Sequence, residues 1–176
     1  GFSAGSCSPD AVIKRLTVDS RDAVEGSCFV ALEGTRVDGH RFVRQALDRG
    51  ASAVVVEAGR VADRSDRIIE VSNSHAAVAR LAATFYGVDR LQREGKLKLI
   101  AVTGTNGKTT VITLLTSILR AADYPACSLG TIGFDLHNPK ANSVALAVGM
   151  TTPPPIELCS TLSEMARAGA TYVAME

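Results

Sequence analysis

No part of this 176-residue sequence carries a surplus of one charge. Lys and Arg total 19 against 18 Asp and Glu. Residues 1–95 hold 13 basic and 13 acidic side chains, and residues 96–176 hold 6 and 5. The balance excludes binding driven by a basic or acidic face, so neither nucleic acid nor an anionic membrane is an expected partner. Cysteine is sparse too. Cys7, Cys28, Cys127 and Cys159 lie far apart, with no C-x-x-C pair. That excludes a disulfide framework and reads as reduced thiols in a cytoplasmic protein. No run approaches the 18 or so apolar residues of a membrane span. The longest apolar helix candidate, Val111 to Leu119, is bounded by Lys108 and Arg120. No basic segment followed by an apolar one marks a signal peptide, and a start at Gly1-Phe2-Ser3 without Met suggests a fragment. His40, His75 and His137 show no zinc spacing with Cys or Asp. There is no G-x-S-x-G elbow and no G-x-G-x-x-G order, which removes the usual hydrolase and dinucleotide signals.

What remains has an ordinary globular composition: 46% hydrophobic, 21% charged, mean hydropathy +0.15. That is enough for a core and fits one domain or two small ones. Strand-like and helix-like segments alternate. Val12–Val18, Cys28–Leu32, Ala53–Val56 and Ile68–Val71 read as strands. Phe42, Val43, Ala46 and Leu47 recur at helical spacing before Gly50. A second helix, capped by Ser72 or Asn73, places Val78, Leu81, Ala82 and Phe85 on one face and ends at Gly87. Phe85-Tyr86 reads as helix packing. Asp89 to Gly95 is polar and reads as a linker. The expected organisation is therefore α/β, with one domain over residues 1–90 and a second unit over residues 96–176.

The second segment opens with a strand, Lys98–Val102, and a helix is expected from Val111 to Ala122. Ala126–Leu129 and Val144–Val148 are strand candidates, with Gly130-Thr131-Ile132-Gly133 as a loop between them. Thr151-Thr152-Pro153-Pro154-Pro155 must be extended or tightly turned. A helix with Leu158, Cys159, Leu162, Met165 and Ala166 buried follows, stopped by Gly169, and Thr171–Met175 is the last strand.

Between the Lys98–Val102 strand and its helix lies Thr103-Gly104-Thr105-Asn106-Gly107-Lys108-Thr109-Thr110. Gly104 and Gly107 remove the Cβ atoms that would block a phosphate, and amides at a helix start donate to its oxygens. Lys108 supplies a mobile cation for outer phosphates, and the Thr109 hydroxyl is placed for Mg²⁺. Only two residues separate Gly104 from Gly107-Lys108, against four in the ordinary P-loop, so this is a shortened variant. Glu176 ends the last strand, where open α/β sheets place their ligands, and a carboxylate there suits magnesium. Asp135 is a weaker metal candidate, because Asp is common in turns.

Four blocks taken together, Val18-Asp19-Ser20-Arg21, Gly34-Thr35-Arg36-Val37-Asp38-Gly39-His40, Thr103 to Thr110 and Thr151-Thr152-Pro153, resemble the Mur ligases. The resemblance runs from about Leu16 to Glu176. It implies a UDP-sugar-binding N-terminal domain followed by the first part of a P-loop-type central ATPase domain with a mainly parallel sheet. The motif order is most like that of members adding the third amino acid, meso-diaminopimelate or L-lysine, to UDP-N-acetylmuramoyl-L-alanyl-D-glutamate in peptidoglycan synthesis. By the same resemblance, Ser20 and His40 are substrate-binding residues, Ser20 contacting the uridine nucleotide and His40 lying near it in the Asp-Gly-His motif. Thr151 and Thr152 contact the muramoyl-peptide, and Gly104, Thr105, Asn106, Gly107, Lys108, Thr109 and Thr110 hold ATP. Thr109 and Glu176 hold Mg²⁺, and Lys108 is catalytic. The implied chemistry is ATP-dependent activation of the substrate carboxylate as an acyl phosphate, which the incoming amine attacks.

Two positions depart from the family pattern. Pro154 stands where an acidic residue usually follows the first proline, which removes a side-chain cap worth about 1 kcal/mol. Asp89 stands where a proline is common. The alternatives are another Mur-type ligase, or a nucleotide-binding module without ligase activity. Folate-type polyglutamate ligases share the ATP loop but leave the Asp-Ser-Arg and Asp-Gly-His blocks unexplained.

Overall fold

A computed structural model describes residues 12–35, 37–63, 65–131, 133–135 and 151–176. The chain divides into two compact units, residues 1–82 and 83–176.

The first unit is built on four parallel strands in sequence order, β1 (Arg15–Thr17), β2 (Ser27–Val30), β3 (Ala53–Glu57) and β4 (Ile68–Val71). Every residue of β2, and Ala53 to Val56 of β3, is buried. Central parallel strands are covered on both faces, which explains why they read as continuous apolar runs without alternation. Phe29, Val54 and Val56 pack with Val43, Ala46 and Leu47 of helix α1 (Val43–Asp48). The helix expected from the spacing of Phe42, Val43, Ala46 and Leu47 starts only at Val43, because Gly39–Phe42 forms a 3₁₀ turn ahead of α1. Asp38 begins that turn by accepting the His40 amide. Gly50, at φ +95°, takes the left-handed position after α1. The first strand is also shorter than read. The ladder covers Arg15–Thr17, and the chain bends away at Asp19, whose carboxylate accepts the Arg21 amide and starts a 3₁₀ turn over Ser20–Asp22.

Helix α2 (Ser74–Phe85) is capped by Asn73, which accepts the Ala76 amide at 2.7 Å. Its buried face is Ser74, Ala77, Val78 and Ala82. Leu81 is half-buried, and Phe85 is 37% exposed, stacked edge-on to Tyr86. The expected stripe is thus rotated toward smaller residues. The boundary between the units falls inside this helix.

The expected linker at Asp89–Gly95 is a correction. Val88–Arg93 is a helix, α3, entered through Gly87 in the left-handed conformation. Asp89 pairs with Arg93 one turn on, and Val88 is buried at its start. Polar composition here marks a solvated helical face with i,i+4 pairing, not irregular chain.

Strand β5 (Lys98–Ala101) leads into the glycine loop and helix α4 (Lys108–Ala121). The helix begins three residues earlier than the apolar pattern suggests, so the Lys-Thr-Thr triplet forms its first turn. Strands β6 (Ala126–Gly130) and β7 (Gly133–Asp135) are antiparallel. Gly130 pairs with Gly133, so both glycines of the expected loop are strand ends, and Asp135 lies in a strand. The strand candidate Val144–Val148 lies outside the described residues.

Helix α5 (Pro155–Arg167) starts at Pro154 with no side-chain cap, as the missing acidic residue implies. Cys159, Thr161, Leu162, Ser163 and Met165 are buried, while Leu158 and Ala166 are half-buried. The last strand, β8 (Tyr172–Met175), inserts between β5 and β6, giving the order β5-β8-β6-β7 with the first three parallel. This insertion aligns three carboxyl ends: the glycine loop after β5, Thr131 after β6, and Glu176 after β8. Among the described residues no helix is long and apolar enough to cross a membrane.

Candidate nucleotide and substrate sites

In the second unit, the loop after β5 turns into α4 through two glycines with positive φ, Gly104 at +147° and Gly107 at +77°. Side chains with a Cβ rarely adopt either conformation. Gly107 occupies the helix N-cap, and no side chain caps the amides behind it. Uncapped amides at the positive end of a 14-residue helix form an anion-binding geometry. Lys108 folds back over the loop, donating from Nζ to the Gly104 carbonyl at 2.8 Å.

Beside it, the Thr109 hydroxyl donates to Glu176 Oε1 at 2.7 Å, a contact between residues 67 apart in sequence. Partial burial alone raises the Glu176 carboxyl. Bonds from Thr109 and from the Thr131 amide and hydroxyl, with the Lys108 charge, outweigh it and hold the group below its ordinary value. It is thus a carboxylate at neutral pH. The Thr131 amide reaches Oε1 at 3.2 Å, and its hydroxyl reaches Oε2 at 3.2 Å. Thr152 donates its hydroxyl to the Glu176 backbone carbonyl at 2.9 Å, and the Thr151 hydroxyl lies 3.5 Å from that of Thr131. The residues read from sequence as ATP-binding, metal-binding and peptide-binding therefore meet at one edge of this sheet. Thr131 was not among them. The available signal was its place directly after β6, at the carboxyl edge of a parallel sheet. Among the described residues no group of three His, Cys, Asp or Glu side chains could hold a metal. A two-oxygen set from Thr109 and Glu176 suits magnesium, a hard ion that keeps several of its waters and takes other ligands from phosphate.

In the first unit, Ser20 and His40 both sit just beyond carboxyl ends of strands, after β1 and β2. Ser20 is buried and donates to Gln45 Oε1 at 2.9 Å. His40 is buried with both ring nitrogens engaged. Nε2 accepts the Glu57 amide at 3.0 Å, so the proton lies on Nδ1, which donates to Asp38 Oδ1 at 2.6 Å. The ring ties the β2 turn to the end of β3. Arg60 pairs with Glu33 and lies near Asp38 and Glu57 at 3.9 and 3.7 Å. Backbone and side-chain bonds from His40 hold the Asp38 carboxyl below its ordinary value. Glu57 is held low by the Ser74 amide and hydroxyl.

Two family models divide the chain between them. The Mur ligase family catalytic domain matches residues 12–86, and the Mur ligase middle domain matches residues 102–176. The chain belongs to the Mur ligase family. Among curated Mur ligases it is 40% identical over 161 residues to the UDP-N-acetylmuramoyl-L-alanyl-D-glutamate–2,6-diaminopimelate ligase of Solibacter usitatus, covering 92% of this chain and 31% of that protein. The enzyme of the same name from Geobacter sulfurreducens is 38% identical over 164 residues, covering 93% and 30%. A solved structure of a ligase with that name aligns with a TM-score of 0.64 at 27% identity, covering 92% of this chain and 31% of the other. MurF ligase from Thermotoga maritima, solved in complex with ADP, aligns at 0.56 and 27%, covering 94% and 32%. The chain thus spans about a third of the length of the relatives it matches, and its fold is the α/β arrangement of the Mur ligases.

Proposed function

We propose that this chain supplies the UDP-sugar-binding domain and the nucleotide-binding start of the central domain of an ATP-dependent ligase. The reaction joins a third amino acid to UDP-N-acetylmuramoyl-L-alanyl-D-glutamate, with meso-diaminopimelate, named for the relatives, as the first acceptor to test and L-lysine as the second. The observation that carries the reading is the 2.7 Å bond from Thr109 to Glu176 at the head of an uncapped helix. It puts a hard-oxygen pair beside amides that can receive phosphate, and both positions agree with the motif order.

When bound, ATP with Mg²⁺ provides the phosphoryl group that converts the substrate carboxylate into an acyl phosphate. The protein's part is positioning and electrostatics. Gly104 and Gly107 let phosphate oxygens approach the backbone, with Thr105, Asn106 and Thr110 completing the loop. Lys108 exchanges its bond to the Gly104 carbonyl for the outer phosphates and is the residue assigned to catalysis. Thr109 and Glu176 would hold the magnesium ion. Thr151 and Thr152, bound to the same network, are assigned to the muramoyl-peptide. Ser20 is assigned to the uridine nucleotide. Since both ring nitrogens of His40 are already used, its contribution there is to hold the Asp38-Gly39-His40 turn in place.

The test is phosphate release and amide formation by the full-length protein with ATP, Mg²⁺, UDP-N-acetylmuramoyl-L-alanyl-D-glutamate and each amino acid. The expected result is turnover only when all components are present. Absence of amide product with any third-position amino acid would refute the ligase assignment. ADP binding without turnover would favour a nucleotide-binding module.

A further inference from the structure

Resting on the nucleotide-site reading above, the structure assigns Thr131, with Gly130, as the positioning pair that aims the Glu176 carboxylate at Thr109.

A glutamate at a strand end is ordinarily free to sample several rotamers. Here each carboxylate oxygen is addressed separately. Oε1 receives the Thr109 hydroxyl and the Thr131 amide, and Oε2 receives the Thr131 hydroxyl. Thr131 thereby fixes both the place and the rotation of the carboxylate plane. Gly130 makes room for it. A Cβ at that position would stand 2.3 Å from Glu176 Oε1 and 2.8 Å from its Cδ. Those atoms belong to a flexible side chain, so a methyl group there would displace the carboxylate and leave the β6 ladder in place. The φ of Gly130 is not in the left-handed region, so the requirement for glycine is spatial and set by Glu176.

The Thr131 hydroxyl is also 3.5 Å from that of Thr151. A carboxylate only accepts, so the Thr131 proton points to Glu176 and its oxygen faces Thr151. This places Thr131 between the group assigned to magnesium and a group assigned to the peptide substrate.

The experiment titrates ADP binding to the full-length protein by calorimetry, once in EDTA and once across magnesium concentrations. Thr131→Val keeps shape and removes the hydroxyl. It is expected to raise the magnesium needed for half-maximal enhancement of ADP binding about fivefold to tenfold, the scale of one partly exposed hydrogen bond to a charged group. Binding in EDTA, which depends on the loop amides and Lys108, stays unchanged. Thr131→Ser restores the magnesium dependence to within about twofold of wild type. Gly130→Ala behaves like Thr131→Val or worse while its unfolding midpoint matches wild type. A Thr131→Val protein with wild-type magnesium dependence would overturn the assignment. So would a serine variant no better than valine, or equal losses with and without the metal. Loss of amide formation in the wild type, with magnesium-dependent ADP binding and these shifts intact, removes the ligase reading and upholds the assignment. A wild-type protein that binds no ADP with magnesium overturns both.

Discussion

Replacing His40 by leucine should destabilise the first unit by about 2–4 kcal/mol, worked from its two bonds. The side chain is 3% exposed, and leucine fills much of its volume, so the cavity contribution is small. The Glu57 amide, now facing Nε2 at 3.0 Å, is left without an acceptor. An unsatisfied buried donor costs about 1–3 kcal/mol. Asp38 loses the Nδ1 proton but keeps the His40 amide, and at 30% exposure it regains water, so about 1 kcal/mol is charged to that side. Urea unfolding followed by far-UV circular dichroism reads the change, since the chain has no tryptophan to report fluorescence. The midpoint should fall by about 1–2 M at unchanged slope. His40→Gln, whose amide can both accept from Glu57 and donate to Asp38, should recover part of the loss. The reasoning is refuted if the leucine variant lies within about 0.5 kcal/mol of wild type, or if glutamine is no better than leucine. A leucine variant of full stability that no longer binds the uridine nucleotide would show instead that the ring is a direct ligand.

Lys108→Ala should lower ligation by the full-length protein at least about 100-fold, the scale of losing one charge donor to a transferring group. Its stability should stay within about 0.5 kcal/mol of wild type, because Nζ is spent on the loop's own carbonyl; wild-type turnover in a folded variant sinks that role. Asp19 should titrate at about 2, held down chiefly by the Arg21 guanidinium and then by the Arg21 amide. A folded-state value below the usual 3.8 means its stabilising contribution is present at neutral pH and is lost as pH falls from about 4 through about 2. Arg21→Ala should move the carboxyl midpoint, read by ¹³C NMR, part of the way back up, and a wild-type midpoint near 4 contradicts the pairing. Cys159 is buried on α5, and burial pushes its thiol up. Iodoacetamide at pH 8 followed by peptide mapping should label it only after unfolding, and prompt labelling of the native chain refutes its burial.

The strands of both sheets were legible where an apolar run was long and bounded by glycine or aspartate, as at Ala53–Glu57 and Ile68–Val71. Errors came where short-range composition competes with longer-range context. Asp89–Gly95 looks like a linker because its residues are polar, yet it follows a left-handed glycine and pairs Asp89 with Arg93. Gly130 and Gly133 look like loop residues, yet both are strand ends paired with each other, with Thr131 in a turn between the strands, and Gly130 accommodates a carboxylate. On α2 side-chain bulk suggests a stripe reaching Phe85, whereas the close-packed face is Ser74, Ala77, Val78 and Ala82.

By itself, the sequence determined the local make-up of the glycine loop. Close approach, helix start, cation and hydroxyl are contiguous from Gly104 to Thr109, so local geometry follows from local residues. It also determined the near balance of charge, net +1, which leaves no basic surface for an anion and makes local backbone donors the available alternative. Only the tertiary structure decided what surrounds that loop. Strand β8 enters between β5 and β6, and this non-sequential pairing brings Glu176 to Thr109 across 67 residues and to Thr131 across 45. Such pairings depend on which strand edges meet, a choice settled by packing over the whole sheet. His40 teaches the same lesson from the other side. Nothing in its motif indicates that the Glu57 amide, 17 residues on at the end of β3, bonds to its ring.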